Sequence, residues 1–228
     1  ATGNTFNGNN AVAFNLGTGT TLTASNNTDN TKEYISGEGT EAKPYLIKTA
    51  GQLVDFRNSV NAGETKYNAA GVWVALAADI DLANAEWTVG IGDGHNYSFD
   101  GNFDGKNHTI KNLNIKPYAD ESGYLCGGLF GYIYGAVNIK NLVIENATVE
   151  YTGEGESHNV GVLAGFAYKC NGAVIDNVTV KGNIKVNAPN TYGVGAIVGY
   201  THTNAPVITN CKVLANNDSY IKGHRFFG

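Results

Sequence analysis

Hydrophobic and polar residues follow a strand-like pattern from residue 97 onward, where helical periodicity is absent. A short motif, Gly-x-[Leu/Ile]-x-Gly-aromatic, occurs three times in this region, at 127–132, 161–166 and 195–200, with both intervals equal to 34 residues. A fixed interval of this size is typical of proteins built from stacked repeats. The motif predicts structural roles for its glycines, which are Gly127, Gly131, Gly161, Gly165, Gly195 and Gly199.

A second pattern, Ile-x-Asn-apolar-x-apolar, begins at Ile110, Ile139, Ile175 and Ile208. The strict alternation of a strand is broken once in each copy, and the break falls on asparagine. Asparagine tolerates the left-handed backbone conformation and hydrogen-bonds to nearby backbone, so it suits a corner between two strands. The predicted corner residues are Asn112, Asn141, Asn177 and Asn210.

Units of strand, corner and strand cannot each bury a core alone, so they stack with like residues in columns. The sequence therefore predicts an all-β fold, a right-handed parallel β-helix (β-solenoid). The predicted buried columns are Ile110, Ile139, Ile175 and Ile208; Leu113, Leu142, Val178 and Cys211; and Leu129, Leu163 and Ile197. The glycine-containing strand has apolar residues on both of its faces, so the sequence leaves its inward face open.

We place the β-helix domain at 34–228, and its N-terminal part differs in pattern from the repeats. Thr49 and Gln52 match a capping box, and Leu53, Phe56 and Val60 follow at helical spacing. We predict one short α-helix near 50–60 that caps the open end of the solenoid. The Asn/Gly/Thr-rich segment 1–33 is either a linker or a set of edge strands, and the residues from Ile221 onward are either a cap or the start of another coil.

The glycine repeats resemble the GLUG motif of large bacterial cell-surface proteins. The stretches Gly39–Ile47, Ala78–Leu82 and Phe103–Ile110 also match the usual approach to those repeats, and the resemblance covers about 37–215, with the GLUG repeats at 127–215. It implies an extracellular or cell-surface β-helical, adhesin-like module of the kind found in gut Bacteroidetes and beside adhesin and IgA-protease modules. The motif family has no agreed catalytic residues, so none is transferred.

Composition argues against two classes of protein, those that bind nucleic acids and those that span a membrane with a helix. The chain has 228 residues, only 15% of them charged, and a net charge of −5, with no lysine or arginine cluster. A nucleic-acid partner is therefore not expected. No stretch reaches the roughly 20 apolar residues of a membrane-spanning helix. The chain begins at Ala1 and contains no methionine, as expected of a mature or excised piece of a longer product. No cofactor is predicted.

Acidic residues cluster around glycine-rich turns in the first half of the repeats. Carboxylates on turns suit Ca²⁺, which makes Asp79, Asp81, Asp93, Asp100 and Asp104 candidate ligands. However, no Asp-x-Asp-x-Asp-Gly loop is present, and an Asp before Gly also fits a plain tight turn. The structural interpretation is favoured, and no metal is predicted.

The three cysteines occupy different positions of the repeat. The glycine spacing aligns Cys126 with Val160 and Val194, Cys170 with Ala136 and Asn204, and Cys211 with Leu142 and Val178. We therefore predict no stacked disulfide and interpret these residues as free thiols, mostly buried.

Three functions stay open. The favoured one is a non-catalytic extracellular or bacterial cell-surface module for adhesion or ligand binding, with a host glycan or surface protein as partner. Tyrosines near the variable loops are its candidate contacts: Tyr118, Tyr124, Tyr151, Tyr168 and Tyr192.

The alternatives are a carbohydrate-active β-helix enzyme, either a polysaccharide lyase or a hydrolase, and a structural stalk. No catalytic residue can be named, since the two arginines, Arg57 and Arg225, lie outside the repeats. The oligomeric state is left open.

Overall fold

The fold is taken from a computed structural model that describes residues 35–94, 97–118, 125–153 and 155–223, with short strands at 5–6, 28–29 and 226–227. The chain divides into two compact units, Ala1–Ile35 and Ser36–Gly228. In the first unit, β1 (Thr5–Phe6) pairs in parallel with β2 (Thr28–Asp29). The other residues of the predicted segment 1–33 lie outside the described residues.

The second unit is a parallel β-solenoid of stacked coils, which confirms the predicted β-helix. Its elements follow in order as β3 (Tyr45–Ile47), α1 (Ala50–Asn61), β4 (Trp73–Leu76), β5 (Ile80–Asp81), β6 (Glu86–Trp87), β7 (Asn102–Asp104), β8 (Thr109–Lys111), β9 (Asn114–Ile115), β10 (Leu125–Gly127), β11 (Phe130–Tyr134), β12 (Asn138–Glu145), β13 (Thr148–Glu150), β14 (Gly155–Gly161), β15 (Ala164–Tyr168), β16 (Val174–Gly182), β17 (Lys185–Asn187), β18 (Thr191–Gly195), β19 (Val198–His202), β20 (Val207–Thr209), β21 (Lys212–Ala215), β22 (Tyr220–Lys222) and β23 (Phe226–Phe227).

Equivalent strands of successive coils form four sheets. Sheet one contains β3, β4, β5, β7, β8, β12, β16, β20 and β21, and sheet two contains β6, β9, β13, β17 and β22. Sheet three contains β10, β14, β18 and β23, and sheet four contains β11, β15 and β19. The C-terminal residues 220–222 and 226–227 therefore continue the solenoid by pairing with β17 and β18.

The predicted helix is present and its start uses the predicted capping box. The Thr49 hydroxyl accepts a hydrogen bond from the Gln52 backbone N–H at 3.2 Å. The Gln52 side chain in turn accepts one from the Lys48 backbone N–H at 2.6 Å. Gly63, just past the helix end, has a φ of 75°, a left-handed value that glycine adopts without steric cost.

One side of the helix closes the N-terminal end of the core. Leu53, Phe56 and Val60 are fully buried. The Phe56 ring lies 6.0 Å from the Phe99 ring and 6.2 Å from the Phe103 ring. The helix therefore covers apolar side chains of the first coils that would otherwise face water.

Stacked side chains form the core in continuous columns. The strand register places Val74, Phe103, Ile139 and Ile175 in one column; Ile80, Ile110, Ile144 and Val180 in a second; and Trp87, Ile115, Val149 and Val186 in a third. All twelve residues are at most 3% exposed. Of the predicted glycine-motif column, Leu129 and Leu163 are fully buried as well, whereas Ile197 is only half-buried.

Two predicted column assignments are wrong. Ile110 pairs with Ile144 rather than joining Ile139, and the position of Ile139 is taken in that coil by Phe103. Leu113 precedes Asn114, which pairs with Thr148, so it does not stack on Leu142. Each coil has two corners with similar local sequences. The Ile-x-Asn pattern that begins at Ile110 lies at the second corner of its coil, whereas the patterns at Ile139, Ile175 and Ile208 lie at the first corner of theirs.

The last member of a predicted column is also not buried. Ile208 pairs with Ile175 as expected, yet it is 45% exposed. Its strand, β20, lies at the edge of sheet one among the described residues, so only one side of Ile208 is covered by a neighbouring coil.

The corner asparagines adopt the left-handed conformation that the sequence predicts, with φ between 53° and 56° for Asn112, Asn141, Asn177 and Asn210. Their amide groups also link one coil to the next. Asn141 donates to Asp104 at 3.1 Å, and Asn177 donates to Asn141 at 2.9 Å. The corners are therefore held both by backbone conformation and by a ladder of side-chain hydrogen bonds.

Sheets three and four are packed backbone against backbone at the glycine motif. A methyl group added at Gly165 would lie 2.8 Å from the Gly127 nitrogen and 2.9 Å from the Asn159 carbonyl oxygen. Asn159 and Val160 are consecutive residues of β14, so their side chains point to opposite faces of the strand, and they are 3% and 0% exposed. Both faces of the glycine-containing strand are thus covered, which answers the question that the sequence left open.

We expect Gly165→Ala to destabilise the solenoid by about 1–3 kcal/mol, because the added methyl group has to push two backbone layers apart. Gly51→Ala is the matched control, since only the Thr49 hydroxyl lies near a methyl group there, at 3.9 Å, and alanine favours a helix. Urea unfolding followed by circular dichroism measures both variants. Equal stability of Gly165→Ala and wild type would contradict the close packing.

We expect Asn177→Val to cost about 1–3 kcal/mol, because a β-branched residue is strained at a φ of 53° and cannot donate to Asn141. Asn190→Val, at an exposed position, should change the free energy of unfolding by about 0.5 kcal/mol or less. The corner role of Asn177 is refuted if the two variants unfold at the same urea concentration.

Candidate functional site

Sheet four carries two aligned columns of aromatic side chains. The first column follows the second glycine of each motif and contains Tyr132, Phe166 and Tyr200, and the second column, two residues further on, contains Tyr134, Tyr168 and His202. Because the coils stack in register, each aromatic residue lies beside its equivalent in the next coil. We call these six residues together with Tyr192 the aromatic surface.

The rings of the aromatic surface contact one another within and between coils. In the first column, the Tyr132 and Phe166 rings meet edge to face at 5.0 Å, and the Phe166 and Tyr200 rings are nearly parallel at 5.7 Å. In the second column, Tyr168 lies 6.1 Å from Tyr134 and 5.6 Å from His202. These separations are within the range of favourable aromatic contacts.

Burial divides the aromatic surface into a base and a rim. Tyr132 and Phe166 are 2% and 7% exposed and pack with Cys126 in a small apolar cluster. Tyr134, Tyr168 and Tyr200 are half-buried, and His202 is exposed. Solvent therefore reaches the second column and Tyr200, the last member of the first column.

Tyr192 joins the aromatic surface from sheet three. Its ring meets Tyr200 edge to face at 5.1 Å. Burial raises the pKa of Tyr200, and a hydrogen bond with Tyr192 raises it further. The Tyr200 hydroxyl therefore stays protonated at neutral pH and contributes as a hydrogen-bonding group.

A carboxylate lies beside the second aromatic column at its N-terminal end. Phe99 pairs with Ile133 of the next coil. Asp100, the residue after Phe99, therefore occupies the position that Tyr134 occupies one coil later. The Ser98 hydroxyl donates to Asp100 at 2.6 Å. Partial burial raises the pKa of Asp100 above its ordinary value of 3.8. The surface thus combines aromatic rings with one half-buried hydrogen-bond acceptor.

Two of the five predicted tyrosines belong to this surface, Tyr168 and Tyr192. Tyr118 is 63% exposed and lies near Arg57 of the capping helix. Tyr151 is half-buried, and its hydroxyl lies 2.9 Å from Nδ1 of His158. Tyr124 lies outside the described residues. The five candidates therefore do not form a single site.

Sequence reasoning missed Tyr134, Tyr200 and His202 as members of one surface. The signal was present, because an aromatic residue ends every copy of the glycine motif and another ring follows two residues later. Residues two apart on a strand face the same side, and stacking then aligns the copies. Nearness to variable loops selects tyrosines one at a time, whereas position in the repeat groups them into columns.

The acidic candidates for calcium are used in turns. Asp79 accepts a hydrogen bond from the Thr109 backbone at 2.9 Å, and Asp81 accepts one from the Asn112 side chain at 2.8 Å. Asp104 forms an ion pair with Lys106 at 3.1 Å. In the described part of the chain, no three or more His, Cys, Asp or Glu side chains come together closely enough to hold a metal ion.

All three cysteines are free thiols. Burial raises the pKa of Cys170 to about 11, which keeps this thiol protonated and unreactive at neutral pH. The predicted alignment of Cys126 with Val160 is wrong, because Cys126 pairs with Asn159. Residues of β10 pair with residues 33 positions later, such as Cys126 with Asn159, whereas residues of β11 pair with residues 34 positions later, such as Phe130 with Ala164. The interval of 34 residues in the glycine motif therefore does not hold for β10.

The only arginine in the described residues is structural. The Arg57 guanidinium lies 4.4 Å from the centre of the buried Trp87 ring, a cation–π contact that ties the helix to the second sheet. Burial lowers the pKa of the Arg57 guanidinium below its ordinary value.

The fold and the surface define a class of protein: a parallel β-solenoid with a partly exposed aromatic surface on one sheet. Over 191 residues the chain is 34% identical to halomucin of Haloquadratum walsbyi, a match that spans 79% of this chain and 2% of halomucin. It is also 34% identical over 149 residues to a protein of Evansella cellulosilytica provisionally named a Gly-rich membrane protein, covering 65% of this chain and 16% of that protein. No family model matches the chain.

A solved structure shares the fold. The crystal structure of a protein from Bacteroides ovatus, provisionally named an immunoglobulin A1 protease, superposes with a TM-score of 0.54 and 22% identity, covering 79% of this chain and 50% of that one. At this identity the likeness concerns the fold alone. Within the described residues, no helix is both long and apolar enough to cross a bilayer.

We expect acid to weaken the corners. Burial by itself would raise the pKa of Asp104, but hydrogen bonds from Lys106 and Asn141 lower it below its ordinary value of 3.8. Its folded-state pKa is therefore below its unfolded-state pKa, so its stabilisation is complete above pH 3.8 and is lost as the pH falls through the folded-state value.

Urea unfolding at several pH values tests this acid dependence. Asp104→Asn should be less stable than wild type at pH 7 and should lose less stability on acidification. An identical slope of unfolding free energy against pH in both proteins would show that Asp104 is not one of the responsible groups.

Proposed function

We propose that this chain is a non-catalytic extracellular or cell-surface module that binds glycan chains through the aromatic surface. The observation that carries the proposal is the aligned, half-exposed column of Tyr134, Tyr168 and His202 resting on a packed aromatic base. A sugar ring presents apolar C–H groups and hydroxyls together. Tyrosine offers an apolar ring and a hydroxyl with few rotatable bonds, so it matches both at low entropic cost.

The surroundings of the column support the same proposal. Asp100 offers a carboxylate acceptor for sugar hydroxyls beside Tyr134. A hydrogen bond between a hydroxyl and a carboxylate is stronger than one between two neutral groups. The rigid solenoid also holds the rings in place before binding, which reduces the entropy lost on association.

The relatives support a surface location. One relative is named halomucin and another carries the provisional name of a Gly-rich membrane protein. This chain spans only a small part of either, so the activity of a whole protein cannot be read from them. We propose that the chain is an adhesin-like segment with GLUG-type repeats, as the glycine motifs indicate.

The proposal is tested by affinity electrophoresis of the full chain in gels that contain neutral or acidic polysaccharides. We expect at least one polysaccharide to retard the wild-type protein. Tyr168→Ala should weaken that binding about tenfold, the usual effect of truncating a central aromatic contact. Tyr220→Ala, which removes an exposed tyrosine from sheet two, is the matched control and should bind like wild type.

Two outcomes contradict the proposal. If no polysaccharide retards the protein, the module does not bind these glycans and the stalk interpretation gains support. If Tyr118→Ala abolishes binding while Tyr168→Ala does not, the site lies near the capping helix. Circular dichroism spectra of all variants guard against loss of fold, and release of reducing or unsaturated ends during incubation would favour the enzyme alternative.

A further inference from the structure

Lys169 lies at a left-handed turn at the edge of the aromatic surface. It follows Tyr168 directly and is exposed, with a φ of 50°. The equivalent residues of the preceding and following coils are Gly135, with a φ of 73°, and Thr203, with a φ of 55°. The same turn thus recurs in three coils, and only in the coil of Tyr168 does it carry a cationic side chain.

The ammonium group of Lys169 lies over an aromatic ring. Its Nζ atom is 5.2 Å from the centre of the Tyr168 ring. Some other lysines in the described residues form ion pairs, such as Lys140 with Glu41 at 2.8 Å and Lys116 with Glu86 at 2.8 Å. Among the carboxylates that the structure describes, none forms an ion pair with Lys169. Its charge is therefore available to a ligand that lies on Tyr168.

His202 extends this polar edge into the next coil. Its ring lies 5.6 Å from the Tyr168 ring, and its Nδ1 atom lies 2.8 Å from the Thr203 hydroxyl. The other ring nitrogen, Nε2, is on the opposite side of the ring and can serve as a second polar contact. Lys169 and His202 thus flank the same part of the column.

The carboxylate of Asp100 lies nearer the N-terminus of the column. Asp100 is one coil before Tyr134, whereas Lys169 directly follows Tyr168, the middle member of the column. The column therefore has an acceptor beside its first ring and a cation beside its second. A uniformly neutral ligand makes no use of the cation, and a ligand with negative charge next to Asp100 would be repelled.

Resting on the proposed function, we infer that the aromatic surface selects an acidic polysaccharide and that Lys169 is the residue that determines this selectivity. The glycan lies along the column with a carboxylate-bearing sugar on Tyr168, its carboxylate between Lys169 and His202. A sugar without negative charge lies on Tyr134, where its hydroxyls donate to Asp100. Lys169 contributes by attracting the carboxylate, which is a charge-assisted hydrogen bond.

The inference is tested with pairs of probes that differ only in charge. Hyaluronate and chondroitin, in which acidic and neutral sugars alternate, are each compared with their methyl esters, in which the carboxylates are neutral. Wild-type protein should bind at least one acid form more tightly than its ester, and added salt should reduce that preference, because salt screens exposed charges.

Variants of Lys169 separate the effect of charge from that of backbone strain. Lys169→Gln and Lys169→Gly should both weaken binding of the preferred acid form about tenfold and leave binding of its ester unchanged. Lys169→Arg should retain the preference. Lys169→Gly also removes the left-handed strain, so it should fold at least as stably as wild type. Lys212→Gln, an exposed lysine on sheet one, is the control.

The failures of the two proposals are distinguishable. If wild type binds acids and esters equally, or if Lys169→Gln retains the preference for acid, the inference about Lys169 is wrong while glycan binding stands. If neither form of any probe binds, this inference is wrong, and the proposed function is then decided by the electrophoresis with the other polysaccharides. If the acid form binds more tightly than its ester and Lys169→Gln removes this preference, the result supports both the proposed function and the inference about Lys169.

Discussion

Two backbone layers touch at the glycine motif with no side chain between them, and the position of the aromatic surface depends on this contact. Gly128, Gly161, Gly165 and Gly199 all face neighbouring backbone atoms so closely that a methyl group would not fit. Sheet three can therefore lie directly on sheet four. The chain then turns through the same geometry in each coil, and the aromatic residue after the second glycine emerges at the same place.

Repetition converts a single aromatic residue into a surface. One tyrosine on a strand is a common surface feature, but in a parallel solenoid its equivalents lie about 5 Å away in the adjoining coils. Tyr132, Phe166 and Tyr200 pack against each other for this reason and become the base of the site. The same register places Tyr134, Tyr168 and His202 in a rim that solvent reaches, so the core repeat and the candidate site have one origin.

Carboxylates in this chain have two kinds of role, and their surroundings decide which. Asp79, Asp81 and Asp104 accept hydrogen bonds at the corners, where the same bonds lower the pKa of each group. Asp100 is partly buried beside the aromatic column, and burial raises its pKa. The corner carboxylates are committed to the architecture, which leaves Asp100 as the acidic group placed to contact a ligand on the second column.

The sequence by itself determined the parallel solenoid, the capping helix and the left-handed corners, because these follow from local chemistry: glycine spacing, a capping box and asparagine at a break in alternation. It could not assign Ile110 to its column, because two corners of each coil share one local pattern and only strand pairing separates them. It also did not reveal which tyrosines belong together or that Asp100 and Lys169 lie beside different rings of one column. Those relations join residues about 34 positions apart and depend on register, which is decided when the coils stack and not along the chain.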